Sequence, residues 1–216
     1  MHYSHLRRPM AILVLFLLLP ISDSAGASAG EPSAPKAVAS GRTVRVLVAY
    51  YSMTGNTEQF AHGVAEGVKR VPGAIAIVRK VDQASKHDLE AADAIILGCP
   101  TYFANIPGKM KVVIDDWNWK MKVDFTDKVG GAFSTGSGQV GGKEHVVTSL
   151  LLFLINNRMV VAGPLYQDAE GDDKWAESGA AAMTGPLDPG VSAKELDGAQ
   201  RLGERIARLA RKLRAE

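Results

Sequence analysis

The sequence predicts an α/β domain: a doubly wound, five-stranded parallel sheet with helices on both faces. Three observations point there. Strands and helices alternate from Thr43 onward, two strands are near-continuous apolar runs, and loops rich in glycine and hydroxyl residues follow the strands. A strand apolar on both faces belongs inside a parallel sheet, because helices then cover it on each side.

The first strand covers about Thr43 to Tyr50. It leads into a helix over about Asn56 to Arg70, with Phe60, Val64 and Val68 on one face. The second strand is about Ala74 to Val81, and a short helix near His87 follows. The third strand, Asp93 to Cys99, has an unbroken apolar centre and reads as a second interior strand. The next helix runs from about Pro107 to Asp116, proline suiting a first helical turn. A fourth strand over about Lys128 to Phe133 leads through a glycine-rich loop to a helix over Glu144 to Asn156, and the fifth strand is about Arg158 to Ala162. The last helix, Ser192 to Arg214, repeats apolar residues from Leu196 to Leu213 at three- and four-residue intervals. Between Gly163 and Gly190 an acidic connection, long for such a domain, suits a site cap or an assembly surface. Trp175 within it fits loop packing and burial against another subunit equally.

With 216 residues and 46% hydrophobic content, the chain has material for one substantial core. A net charge of +2 with scattered basic residues gives no support to nucleic-acid binding. One cysteine, Cys99, excludes an internal disulfide and a cysteine-based zinc cluster, and its place in an apolar strand suits a small buried hydrophobe. His62, His87 and His145 lack ligand spacing, so no metal site is expected.

Residues 1–29 have the layout of a secretory signal peptide. Arg7 and Arg8 precede the apolar run Ala11 to Leu19, and small residues follow from Ser24 to Ala29. That run is about half the ~20 residues needed to span a bilayer, which favours cleavage after Ala27 or Ala29 over stable membrane insertion. The expected location is therefore exported and periplasmic, with an uncleaved N-terminal membrane anchor as the alternative. The paired arginines hint at twin-arginine export, although the flanking residues fit that signal poorly. Residues 30–42, rich in Pro, Ala and Ser, read as a flexible tether, leaving 43–216 as the folded domain.

Three loops share the carboxyl edge of the sheet, where open parallel sheets bind ligands. The first, Ser52, Met53, Thr54, Gly55, Asn56 and Thr57, offers hydroxyls, backbone N–H groups and a helix N-terminus, with no Lys or Arg. A nucleoside triphosphate loop would place a lysine and a hydroxyl residue directly after its last glycine, so this loop better suits one phosphomonoester, of the kind flavin mononucleotide carries. The second loop, with Pro100, Thr101, Tyr102, Phe103 and Asn105, presents aromatic, hydroxyl and amide groups suited to a flat heteroaromatic ring. The third, with Ser134, Thr135, Gly136, Ser137, Gly138 and Gly141, allows close backbone approach to the ring's carbonyl edge. Gly136, Gly138 and Gly141 also match G-x-G-x-x-G. A dinucleotide site would put that motif after the first strand with an acidic residue about 20 positions on, and neither condition holds.

On Tyr50–Thr57, Gly98–Asn105, Ser134–Gly138 and Gly141–Glu144, the chain resembles the flavodoxin-like family, and within it the WrbA-type NAD(P)H:quinone oxidoreductases. The resemblance implies a flavodoxin-like FMN-binding domain over residues 43–216. Ser52 to Thr57 would hold the FMN phosphate, Thr101 to Phe103 would flank the isoalloxazine, and Thr135 to Gly141 would hold its pyrimidine side. Trp117 or Trp119 would line the substrate face, core packing being an equal alternative for Trp117. Asn157 stands near the position where the family often carries a histidine. The implied activity is two-electron hydride transfer from NAD(P)H through flavin N5 to a quinone or similar small acceptor, in a homo-oligomer, with no nucleophile or metal required. The rival reading is an exported one-electron carrier of the flavodoxin kind, docking a redox partner protein. A flavin-binding interaction module without turnover is a third.

Overall fold

The structure, a computed structural model, describes residues 42–138, 140–164, 179–184 and 190–214. The expected signal peptide, nearly all of the tether, Gln139 and Trp175 lie outside the described residues. Among those described, no helix is long and apolar enough to cross a membrane.

The two apolar runs form strands β1 (Val44–Tyr50) and, two elements later in the strand count, β3 (Ala94–Pro100). They pair in parallel at the centre of the sheet, β1 also pairing with β2 (Ala74–Lys80) and β3 with β4 (Val129–Gly136). With β5 (Val160–Val161) beyond β4, the strand order is β2-β1-β3-β4-β5. Order reverses between β1 and β3, which makes the carboxyl ends of those two strands the expected ligand crevice.

A further strand departs from the five-strand expectation. β6 (Ala180–Met183) also pairs in parallel with β4. β5 lies opposite Val129 and Gly130, whereas β6 lies opposite Phe133 to Gly136, so the two share one edge of β4 in tandem. Six strands thus fill five positions. The connection read as lying outside the sheet rejoins it, and the sequence concealed this because three alanines carry little strand propensity.

Among the described residues five helices cover the sheet: α1 (Asn56–Lys69), α2 (Lys86–Ala91), α3 (Gly108–Trp119), α4 (Lys143–Asn156) and α5 (Ala193–Leu213). Alternate β1 residues decide what each face buries. Val44, Val46, Val48 and Tyr50 pack with α1 and α5, while Leu47 and Ala49 pack with α2, α3 and α4. Each such fully buried large aliphatic side chain contributes about 1.5–3 kcal/mol, which is why neither face tolerates a polar break.

α1 and α5 approach each other through glycine. A Cβ added at Gly203 would sit 1.9 Å from the Val64 carbonyl oxygen, and one at Gly67 would sit 1.9 Å from that of Gln200. The amino edge of the sheet is tied by charge. Asp93 accepts the Arg45 backbone N–H at 2.7 Å and pairs with Arg214, while Lys128 Nζ donates to the carbonyls of Glu90 (2.8 Å) and Ala92 (2.6 Å). Burial holds the Lys128 ammonium below its ordinary pKa.

Candidate functional site

At the carboxyl ends of β1, β3 and β4, three loops enclose a cleft of about 970 Å³. The first loop supplies Met53, Thr54, Gly55, Asn56 and Thr57 to its wall. Gly55 takes φ +98°, a left-handed conformation open to glycine and costly for other residues, and so turns the chain from β1 into α1. No side chain caps α1. The first-turn N–H groups of Asn56, Thr57 and Glu58 therefore point outward along the helix axis, at its positive end. Ser52 stands behind this wall, its Oγ accepting the Gly55 N–H at 3.2 Å, and orders the turn.

From the second loop, Pro100, Thr101 and Tyr102 reach the cleft. Tyr102 and Asn105 bond reciprocally through their backbones at 3.0 and 2.9 Å, with Phe103 at φ +50° and Ala104 at φ +61° between them. Two consecutive left-handed residues make a tight two-residue turn, and neither is glycine, so the turn is strained. It holds Phe103 fully exposed. Asn105 does not line the cleft: its Oδ1 accepts the Ile106 N–H at 2.8 Å. The Tyr102 ring meets Tyr51 edge-on at 6.4 Å, and burial, then the neighbouring Tyr51, raises its pKa, so its hydroxyl stays protonated at neutral pH.

Thr135, Gly136 and Ser137 come from the third loop. Ser134, expected as a ligand-binding residue, is fully buried, its hydroxyl donating to the Cys99 carbonyl at 3.0 Å and lying 2.9 Å from Thr101 Oγ1. The physical reason is strand alternation, since β4 extends through Gly136 and a strand residue turned away from the rim cannot reach it. Gly138 and Gly141 pack on each other beyond the cleft wall, where a Cβ at either would lie 3.5 Å from the other's Cα.

Hydroxyl pairs cross-link the loops. Thr57 Oγ1 lies 2.8 Å from Thr135 Oγ1, joining the first loop to the third, and the Thr101 N–H donates to the Thr135 carbonyl at 2.7 Å, joining the second to the third. Gln59, Thr184 and Gly190 also line the cleft and were missed. Gln59 lies one turn into α1, on the face of Asn56, and was legible from that spacing. Thr184 and Gly190 follow the strand that the sequence concealed.

Three expectations fail on topology. Trp117 is fully buried, its ring 6.4 Å from Phe125. Trp119 ends α3 and Asn157 caps the end of α4, where its Nδ2 donates to the Phe153 carbonyl at 2.8 Å. Both helices start at the cleft and run back along the sheet for 12 and 14 residues, about 18–21 Å, so their ends lie at the amino edge. Within one chain, none of the three reaches the cleft.

No charged side chain lines the cleft among the described residues. Glu58, in the first turn of α1, receives the Tyr50 hydroxyl at 2.5 Å; burial and then that carboxylate push the Tyr50 pKa up, keeping the phenol neutral. Burial likewise raises the Cys99 thiol to about 12, so it is neither thiolate nor nucleophile. Among the described residues no group of His, Cys, Asp or Glu is arranged to hold a metal. Open amides, neutral hydroxyls and a stacking tyrosine fit a phosphomonoester with a flat ring, which is what FMN presents.

Fold and cleft together define a flavodoxin-like protein. Residues 72–171 match the family described as NADPH-dependent FMN reductase. The NAD(P)H dehydrogenase (quinone) of Geobacter sulfurreducens is 31% identical over 204 residues, covering 79% of this chain and 99% of that protein. Its namesake from Geobacter metallireducens is 32% identical over 205 residues, covering 79% and 100%. Among solved structures, the flavodoxin, WrbA-like protein from Agrobacterium tumefaciens aligns with a TM-score of 0.60 at 24% identity, over 79% of this chain and 99% of that one. The chain belongs to the family of NAD(P)H dehydrogenases (quinone).

Proposed function

We infer that this protein is an FMN-dependent NAD(P)H:quinone oxidoreductase. The observation that carries the reading is the neutral cleft over the uncapped start of α1, in a chain whose full-length relatives are quinone dehydrogenases. Bound FMN supplies the capacity to accept a hydride and pass two electrons on. The chain supplies grip and orientation. Amides of Asn56 and Thr57, with the Thr54 and Thr57 hydroxyls, hold the phosphate. Thr101 and Tyr102 would flank the ring, and the backbone of Thr135 and Gly136 would serve its pyrimidine side. The Thr57–Thr135 hydroxyl pair fixes the spacing between phosphate and ring.

The same reading takes residues 1–29 as a cleaved export signal and the mature chain as periplasmic, supported by Arg7, Arg8 and the apolar run after them, and takes it as a homo-oligomer on the WrbA resemblance alone. N-terminal sequencing of exported material and light scattering test these two points.

The main test uses the purified chain soaked in FMN and then dialysed. A retained yellow chromophore, bleached anaerobically by NADH or NADPH and restored by benzoquinone, is the expected result. Colourless protein overturns the assignment. Stepwise photoreduction in two well-separated one-electron stages would favour the carrier reading instead.

A further inference from the structure

Lys143 is the first residue of α4 and only 6% exposed. Its stem runs behind the cleft floor: a Cβ added at Gly136 would lie 3.2 Å from Lys143 Cγ and 3.4 Å from Thr101 Cβ, and both Gly136 and Thr101 line the cleft. Its ammonium donates to the Gly138 carbonyl, in the third loop. Among the described residues no carboxylate pairs with it, and the neighbouring Glu144 is exposed. A buried cation is normally paired, because its desolvation is otherwise uncompensated. This one is stationed, without a counter-ion, inside the loop assigned to the pyrimidine side of the ring.

We propose that Lys143 stabilises the negative charge that the flavin ring gains on reduction, and so raises the potential of the bound cofactor. When a hydride leaves NAD(P)H, the nicotinamide becomes oxidised and cationic, while the ring takes up two electrons and one proton and gains one net negative charge. A fixed positive charge behind the loop on the pyrimidine side favours that product over the neutral oxidised ring. Lys143 acts through the loop without touching the reacting atoms, and so is a positioning and charge-setting residue. Among the described residues no charged side chain lines the cleft, so none on its wall competes with Lys143 behind it.

The inference rests on the FMN reading, and its test separates the two. FMN-loaded wild type, Lys143→Gln, Lys143→Met and Lys143→Arg are titrated against reference dyes for the two-electron potential. Dissociation constants for oxidised and reduced FMN are measured alongside. Lys143→Gln keeps a donor for Gly138 but removes the charge. It is expected to lose at least tenfold in affinity for reduced over oxidised FMN, equal to a fall of about 30 mV for a two-electron couple. Lys143→Met falls equally and Lys143→Arg keeps the wild-type potential. A shift in Lys143→Met alone would mean that the hydrogen bond matters and the charge does not, which overturns the proposal. Unchanged potentials in all three variants with FMN retained also overturn it while leaving the FMN reading intact. Failure of every form, wild type included, to retain FMN removes the FMN reading itself.

Discussion

Helices α1 and α5 lie against each other on one face of the sheet and begin at the same edge, yet they start in opposite ways. Ser192 caps α5, its Oγ accepting the Glu195 N–H at 3.3 Å while the Glu195 carboxylate accepts the Ser192 N–H at 2.9 Å. α1 begins on left-handed Gly55 with no side-chain cap, and α4 begins on left-handed Gly142 in the same manner. Glycine in place of a capping side chain costs only a few tenths of a kcal/mol. α2, which serves only as cover, has its box in Ser85 and Asp88. The contrast of α1 with α5 and α2 teaches that the helix start lining the cleft is left open to an outside acceptor, while these two others are closed by their own side chains.

The largest effect expected is from breaking the α1–α5 seam itself. Gly203→Ala gains about 1 kcal/mol of helix propensity, but its Cβ overlaps the Val64 carbonyl, and forcing two backbones apart costs about 3 kcal/mol. A net loss of about 2 kcal/mol in urea denaturation is expected; a gain would show that the seam is looser than the glycines imply. Next is Asn56→Asp, which adds a second carboxylate to the first turn of α1, beside Glu58. Apo stability should rise by about 0.3–1 kcal/mol through the helix dipole. FMN affinity should fall at least tenfold, about 1.4 kcal/mol, because a carboxylate then faces the phosphate. If calorimetry shows unchanged FMN affinity, the phosphate is not at the start of α1.

The sheet's centre was legible because unbroken apolar runs such as Val46 to Tyr50 and Ala94 to Cys99 have one stable location, between two helical layers. The first loop was legible for a related reason: a glycine between hydroxyl residues at such a strand's end leaves few structural alternatives. β6 was not, since Ala180 to Ala182 owe their strand conformation to an open edge of β4, a tertiary fact. Trp119 and Asn157 were assigned through resemblance, against the direction in which α3 and α4 run. Lys143 looked like an ordinary first-turn residue, and its burial depends on the space that Gly136 leaves, which no local pattern discloses.

Two smaller effects sharpen the contrast from the capped side. Ser192→Ala makes α5 start as α1 does and should lower stability by about 1 kcal/mol in urea, with no acceptor able to restore it, so added FMN should not narrow the gap between variant and wild type. The smallest effect is at α2. Burial works to raise the Asp88 pKa, but hydrogen bonds from the Ser85 hydroxyl and N–H, with the Arg79 charge, outweigh it and hold the carboxyl below its ordinary 3.8. A depressed folded-state pKa contributes stability that is present above 3.8 and lost as pH falls from there through the folded value. Asp88→Asn should therefore be less stable than wild type at pH 7, and the difference should shrink as the solution is acidified below 3.8. The comparison is read from urea midpoints along a pH series. A difference that stays constant across the series would mean that the Asp88 charge adds nothing to the cap, and that hydrogen-bond geometry alone separates closed helix starts from open ones.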